Sequence, residues 1–437
     1  MTYGCILTIV LILSACSAEP TPHAGEANIS DDAAVTDVDI SSRDDVSRHS
    51  PSDATRSNSA NSDTSAIDVS NFDINGDDPP ILDVGGAPSD SGSDDISPLG
   101  PEPWEVVRVL IDSKVALSDA TVLIGNEFGT VFSYSRGTST ETTSYAIASA
   151  SKLIMALTMM RVIESGDLNL GSTAASILPY WSEDEADPRA QVTLEHLLSF
   201  TSGFSGGSGL IPTDPALPCI EDSQASTTDC AEMIYEDAFE FPPSGSAFFY
   251  GPTHMYIAAA MAMTVRNAPT WNSIFRKEIA NDLGLPLSSG FLAPSPKNGR
   301  PSGGALMSAK DYASIFTALL SGALLSPASM KLLTTDHTPT SSVIMKNVPD
   351  VATQNGTWHY ALGCWRECSA IDYDGTGCDS PGVISSPGAF GFYPWWDQAN
   401  GHWGVIALQL STPSAAAIIV PIGEQIRQLA TPIVQNL

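Results

Sequence analysis

The sequence predicts an α+β fold: one antiparallel sheet built from both chain ends, flanked by helices, with a helical region inserted between those ends. Three observations carry this. Near the start of the folded part, "ATVLIGNEFGTVFSYSRG" (120–137) is rich in strand-forming residues and reads as two strands joined around Asn126–Gly129. Near the end, "GAFGFYPWWDQANGHWGVIALQLS" (388–411) reads as a hairpin turning at Asn400-Gly401. Between them lie apolar runs too long for strands, which predicts helices.

The elements follow in order. "PWEVVRVLIDSKVA" (103–116) is a helix leading into the first strand pair. "SKLIMALTMMRVIESGD" (151–167) is apolar along most of its length, so it is a buried helix, with Gly166 as its stop signal. "TLEHLLSF" (193–200) is a shorter helix, followed by the loop "TSGFSGGSG" (201–209). Two more helices are expected within 250–267 and 308–325, and "PIGEQIRQLATPIV" (421–434) is the last. No internal repeat is visible.

The 437 residues exceed one ordinary core, and the surplus falls at the start. Residues 1–16 contain the apolar run "ILTIVLILSAC", too short to span a membrane comfortably and ending in small residues before a cysteine. Leu13-Ser14-Ala15-Cys16 resembles the bacterial lipobox, which implies cleavage before Cys16 and acylation of its thiol; an ordinary secretory signal is the alternative. The expected location is therefore the bacterial cell envelope, with the membrane reached through a lipid anchor at Cys16. Residues 17–100 carry 18 acidic and 3 basic side chains, with Phe72 as the single aromatic. Such a segment cannot bury enough apolar surface to offset its ordering entropy, so it reads as a disordered acidic tether. Residues 101–437 form the folded domain, with 32 acidic and 16 basic side chains.

A formal net charge of −31 argues against nucleic acid as a partner, because its phosphates would be repelled. Five cysteines remain beyond Cys5 and Cys16. Their spacing fits no zinc site, and in an exported domain they suggest disulfides. Cys219 and Cys230 flank a short loop and are expected to pair, with one further bond among Cys364, Cys368 and Cys378.

Two serines sit in patterns that carry nucleophilic chemistry. Gly203-Phe204-Ser205-Gly206-Gly207 fits G-x-S-x-G, but that elbow needs a strand before the serine, and here a helix precedes it. Ser205 therefore reads as a loop residue. Ser149-Ala150-Ser151-Lys152 is different. Of the seven lysines, only Lys152 has a serine three residues earlier. That spacing puts the amine and the Ser149 hydroxyl on one helical face, where the amine can take the hydroxyl proton. Ser149 falls at the start of the most apolar helix, where free N–H groups favour developing negative charge. Desolvation of Lys152 would lower its pKa toward that of a useful base. The bland reading is a surface lysine whose stem lies on apolar neighbours.

The remaining segments decide in favour of chemistry. "IASASK", "VTLEHLLSFTSGF", "PPSGSAFFYGPTHMY", "PSGGALMSAKDYASI" and "SSPGAFGFYPWWD" followed by "WGVIALQLS" occur in the order found in the serine β-lactamase and penicillin-binding protein superfamily. The chain resembles its class C-like branch, with family VIII esterases and D-aminopeptidases, over roughly residues 105–430. The resemblance implies a β-lactamase/transpeptidase-like fold and no cofactor. It implies Ser149 as the acylated nucleophile, Lys152 and Tyr250 sharing proton transfer, and an oxyanion hole from the Ser149 and Ala389 amides. A phenol titrates near pH ~10, so Tyr250 acts as a base only if an ammonium such as Lys152 stabilises its anion.

Two departures from the family pattern stand out. The second motif, usually Tyr-x-Asn, is Tyr250-Gly251-Pro252, and proline has neither a side-chain amide nor an N–H. The third, usually Lys or His followed by Thr-Gly, is Ser386-Pro387-Gly388. Pro252, Ser386 and Gly388 thus occupy the substrate-binding positions without the family's polar groups. Arg366 is a candidate replacement for the missing cation. Trp395 and Trp396 either line an apolar acyl pocket or pack the sheet, while His254 and His196 read as polar helix residues. The expectation is an exported serine hydrolase acting on a small-molecule ester or peptide-like amide. A catalytically impaired relative that binds cell-wall peptide or a protein partner is the alternative.

Overall fold

The computed structural model describes residues 102–205, 217–237, 242–338, 344–346, 358–367, 382–412 and 415–437. The signal segment with Cys16 and the tether 17–100 lie outside the described residues.

The first elements are α1 (Glu105–Ser113), β1 (Ala120–Asn126) and β2 (Gly129–Arg136), followed by β3 (Tyr145–Ala146) and α2 (Ser151–Glu164). Next come α3 (Leu194–Leu198), α4 (Pro218–Glu221), α5 (Thr227–Asp237), β4 (Ala247–Phe249), α6 (Thr253–Arg266) and α7 (Trp271–Phe275). The short strands β5 (Gly290–Phe291) and β6 (Ala305–Met307) lead to α8 (Ala309–Leu320) and α9 (Pro327–Thr334). The chain closes with β7 (Ile344–Lys346), β8 (His359–Tyr360), β9 (Trp365–Glu367), β10 (Val383–Ser385), β11 (Tyr393–Asp397), β12 (His402–Ala407) and α10 (Ala415–Val434).

Seven strands form one antiparallel sheet in the order β2-β1-β12-β11-β10-β9-β8. The N-terminal hairpin pairs with the C-terminal one through β1 and β12, with Leu123 opposite Val405. The two chain ends therefore share a sheet, as the sequence predicts.

Strand β12 is buried at every position. Phe316 of α8 meets Trp403, while Gly423 of α10 lies against Tyr393 and Ile406. Residues 403 and 406 have opposite parity on one strand, so α8 and α10 cover opposite faces. That is why β12 reads as an unbroken apolar run. Helix α10 starts at Ala415, six residues before the expected start, and so carries Pro421 inside it.

Trp395 is fully buried and its ring lies across Gly404 of β12, where a Cβ would collide with it. Of the two readings for this residue, sheet packing is the observed one.

Candidate active site

The nucleophile candidate is held by a turn, not by the helix proper. Ser149 sits in a single 3₁₀ turn, Ala148–Ala150, immediately before α2. Ala148 takes φ +46°, a left-handed conformation that costs a non-glycine residue about 1–3 kcal/mol. Surrounding bonds hold it there. Ile147 N–H donates to the Ala305 carbonyl at 3.1 Å, and Ala305 N–H donates to Ser151 Oγ at 3.1 Å. The Tyr312 hydroxyl donates to the Ala150 carbonyl at 3.0 Å, and the Ser386 hydroxyl to the Ser149 carbonyl at 2.7 Å.

Lys152, the second residue of α2, is 4 % exposed, with Nζ 3.1 Å from Ser149 Oγ and 2.9 Å from the Ser302 carbonyl. Burial, with help from the Arg300 guanidinium, pushes its pKa down to about 7. Its Nζ lies 4.8 Å from the centre of the Tyr250 ring. Tyr250 follows β4 and is clamped by aromatic neighbours. It stacks on Trp365 with centroids 5.3 Å apart and meets Tyr360 edge-on at 6.1 Å.

Burial pushes the Tyr250 phenol up to about 12, against the lowering effect of side-chain hydrogen bonds with Ser149 and Trp365. Lys152 is not among the groups that lower it. At neutral pH the phenol keeps its proton and the amine is the better acceptor.

These three side chains open on a cavity of ≈ 210 Å³, whose wall includes Ala389 and Pro252. Ala389 is exposed, and its amide makes no hydrogen bond among the described residues. The Ser149 amide belongs to the first turn of a helical segment, where N–H groups lack intrahelical partners. Gly388 brings the two segments together: a Cβ there would strike the Ile147 carbonyl.

Other expectations change. Ser386 is 2 % exposed, and its hydroxyl supports the nucleophile's backbone from below, off the cavity wall. Gly388 likewise packs beneath it, with its N–H donated to Phe392 at 2.8 Å. Arg366 is buried in β9 and bonded to the Thr334 carbonyl, so it does not supply the cation. Arg300, which the motifs do not single out, lines the cavity and is ion-paired with Glu221.

Trp396 lines a different cavity, beside Glu127 and Met330. Phe390 and Tyr250 are the aromatic residues on the wall of the catalytic cavity. His254 is fully buried between Ser202 Oγ (2.7 Å) and the Phe249 carbonyl (2.9 Å), and His196 completes a capping box with Thr193 on α3. Ser205 follows α3 and a short loop, and its carbonyl accepts from Thr253 Oγ1 at 2.5 Å.

Cys219 and Cys230 form a disulfide. Cys364 is a buried free thiol and takes no part in a second bond; Cys368 and Cys378 lie outside the described residues.

A profile of the Beta-lactamase family matches residues 110–419. The chain belongs to the beta-lactamase family. A candidate beta-lactamase of Bacteroides dorei shares this beta-lactamase fold with a TM-score of 0.61 at 22% identity, over 74% of this chain and 99% of that one. EstCE1, a hydrolase with promiscuous acyltransferase activity, superposes with a TM-score of 0.61 at 17% identity, over 75% of this chain and 98% of its own. Penicillin-binding protein 4 of Amycolatopsis lactamdurans is 26% identical over 153 residues, which span 34% of this chain and 38% of that relative. Within the beta-lactamase family, the resemblance read from the motifs is therefore sound as to fold and kinship.

Proposed function

We propose that this chain is an exported serine hydrolase that works through an acyl-enzyme on Ser149, with an ester or a peptide-like amide as substrate. The observation that carries the proposal is the 3.1 Å contact between Ser149 Oγ and a buried Lys152 amine whose pKa lies at about 7. Neutral Lys152 takes the Ser149 proton as Oγ bonds to the substrate carbonyl carbon. The Ser149 and Ala389 amides face the developing oxyanion. The proton then passes to the leaving alkoxide or amine, with the Tyr250 phenol as relay. Water repeats the sequence in reverse and frees the carboxylic acid. No cofactor enters these steps.

The family's β-lactam recognition needs an amide partner and a cation in the second and third motifs. Pro252 offers no such amide, and Ser386 is turned to the Ser149 carbonyl. Esters need neither. Short-chain 4-nitrophenyl esters are therefore expected to be hydrolysed far better than a chromogenic cephalosporin, with both activities lost in Ser149→Ala. One missing charge-assisted contact alone is worth about tenfold or more. Comparable turnover of the two substrates would overturn the preference.

The same two departures favour a second reading, a binding protein for cell-wall peptide. That reading predicts no ester turnover at all.

Export rests on Leu13-Ser14-Ala15-Cys16 and agrees with the Cys219–Cys230 disulfide, a bond of oxidising compartments. Detergent partition of the mature protein, lost in Cys16→Ala, is the expected result. Unchanged membrane retention in that variant would overturn the anchor.

A further inference from the structure

Besides the catalytic groups, the cavity wall carries an ion pair that lies outside the motifs quoted above. Arg300 and Glu221 both line the cavity and contact each other. Their side chains differ in exposure: 25% for Arg300 and 68% for Glu221. The Arg300 Nε–H is buried and has no partner among the described residues, so what the guanidinium presents to the cavity is its terminal end. Its backbone is locked, since the Arg300 carbonyl accepts from Gly304 at 2.8 Å and from Gly303 at 3.2 Å.

Glu221 stands on the segment closed by the Cys219–Cys230 disulfide. Buried Asn298 donates to the Cys219 and Asp222 carbonyls at 2.8 Å each, tying that segment to the Arg300 loop. Both backbones are thus fixed on one framework, and the part free to swing is the exposed Glu221 carboxylate. An exposed pair of this kind contributes little to stability. A guanidinium on the wall of a reaction cavity, paired only with an exposed and replaceable carboxylate, is instead a fork for a planar anion.

We infer that Arg300 sets substrate choice by taking a carboxylate of the substrate in place of Glu221, making this an enzyme for anionic esters or amides. The inference rests on the hydrolase reading above and adds the charge of the substrate to it. Glu221 acts as an internal competitor that fills the fork when substrate is absent. Arg300 is a specificity residue here, and the bond chemistry stays with Ser149 and Lys152.

The test uses two matched pairs: mono-4-nitrophenyl glutarate against 4-nitrophenyl pentanoate, and 3-acetoxybenzoate against phenyl acetate. They place the carboxylate on the acyl and leaving sides respectively. In the full chain, kcat/KM is expected to favour the anionic member of one pair. Arg300→Ala should cut that preference about tenfold or more, through KM. Glu221→Gln should raise it, because the competitor is gone while the cation stays.

Calorimetric binding of the same esters to Ser149→Ala, with and without Arg300→Ala, gives a readout independent of turnover. Absence of turnover with Arg300-dependent binding of the anionic ester would defeat the hydrolase reading and keep the anion site. An anionic-to-neutral ratio that Arg300→Ala leaves unchanged in both assays would overturn the inference. So would a Glu221→Gln variant that loses the preference.

Discussion

The two walls of the cavity are built in different ways. On the chemical wall, Ser149 and Lys152 lie three residues apart, and Lys152 is almost fully buried. On the rim formed by Arg300, the guanidinium meets a residue 79 positions away, and that partner is mostly exposed. On the first wall Lys152 is desolvated, and that burial lowers its pKa. The second is wet and replaceable, so it can exchange one anion for another. Reactivity and selection are thereby assigned to different residues, joined by one electrostatic link, since Arg300 also helps to lower the Lys152 pKa.

The largest expected effect breaks the chemical wall. Lys152→Ala removes the proton acceptor and should lower kcat for a neutral 4-nitrophenyl ester by about 10²–10⁴-fold. A loss of less than tenfold would move the base elsewhere.

A pH profile sharpens the same contrast. Only neutral Lys152 accepts a proton, and its pKa is lowered to about 7, first by burial and then by Arg300. kcat/KM for a neutral ester should therefore fall about tenfold per pH unit below pH ~7 and level off above it. Tyr250, raised to about 12, should add no ionisation between pH 7 and 10. An acid limb centred near the carboxylate range would contradict this assignment.

The smallest effect on catalysis is expected from the rim's frame. Replacing Cys219 and Cys230 together by Ser removes a disulfide, a change typically worth about 2–4 kcal/mol. The melting temperature should drop by several degrees, while neutral-ester kcat falls far less than in Lys152→Ala. A loss of catalysis equal to that of Lys152→Ala would mean that the two walls are not separable.

The contrast also explains what could be read from the sequence. Ser149 and Lys152 were legible because their relation is local, and Tyr250 because its motif surrounds it in sequence. The hairpins β1–β2 and β11–β12 were legible for the same reason, each being a pair of neighbouring strands. Strands β8, β9 and β10 have two or three residues each and show no usable alternation.

Arg300 was invisible as a cavity residue, since its place depends on Asn298 bonding to a segment 79 and 76 residues away. Arg366 has the same charge and a more suggestive position near the third motif, yet it faces the Thr334 carbonyl. Ser386 occupies the expected position, but its hydroxyl points to the nucleophile's backbone, a direction set by the fold around Ala148. Charge type is written in the sequence; the side it faces is not.

The central claim is that Ser149 is the acylated nucleophile. Intact-mass analysis of the full chain after treatment with a fluorophosphonate, followed by peptide mapping, tests it most directly. A single adduct on the peptide containing Ser149, absent in Ser149→Ala, is the predicted result. Labelling at Ser205 or another serine, or unchanged labelling of Ser149→Ala, would contradict it.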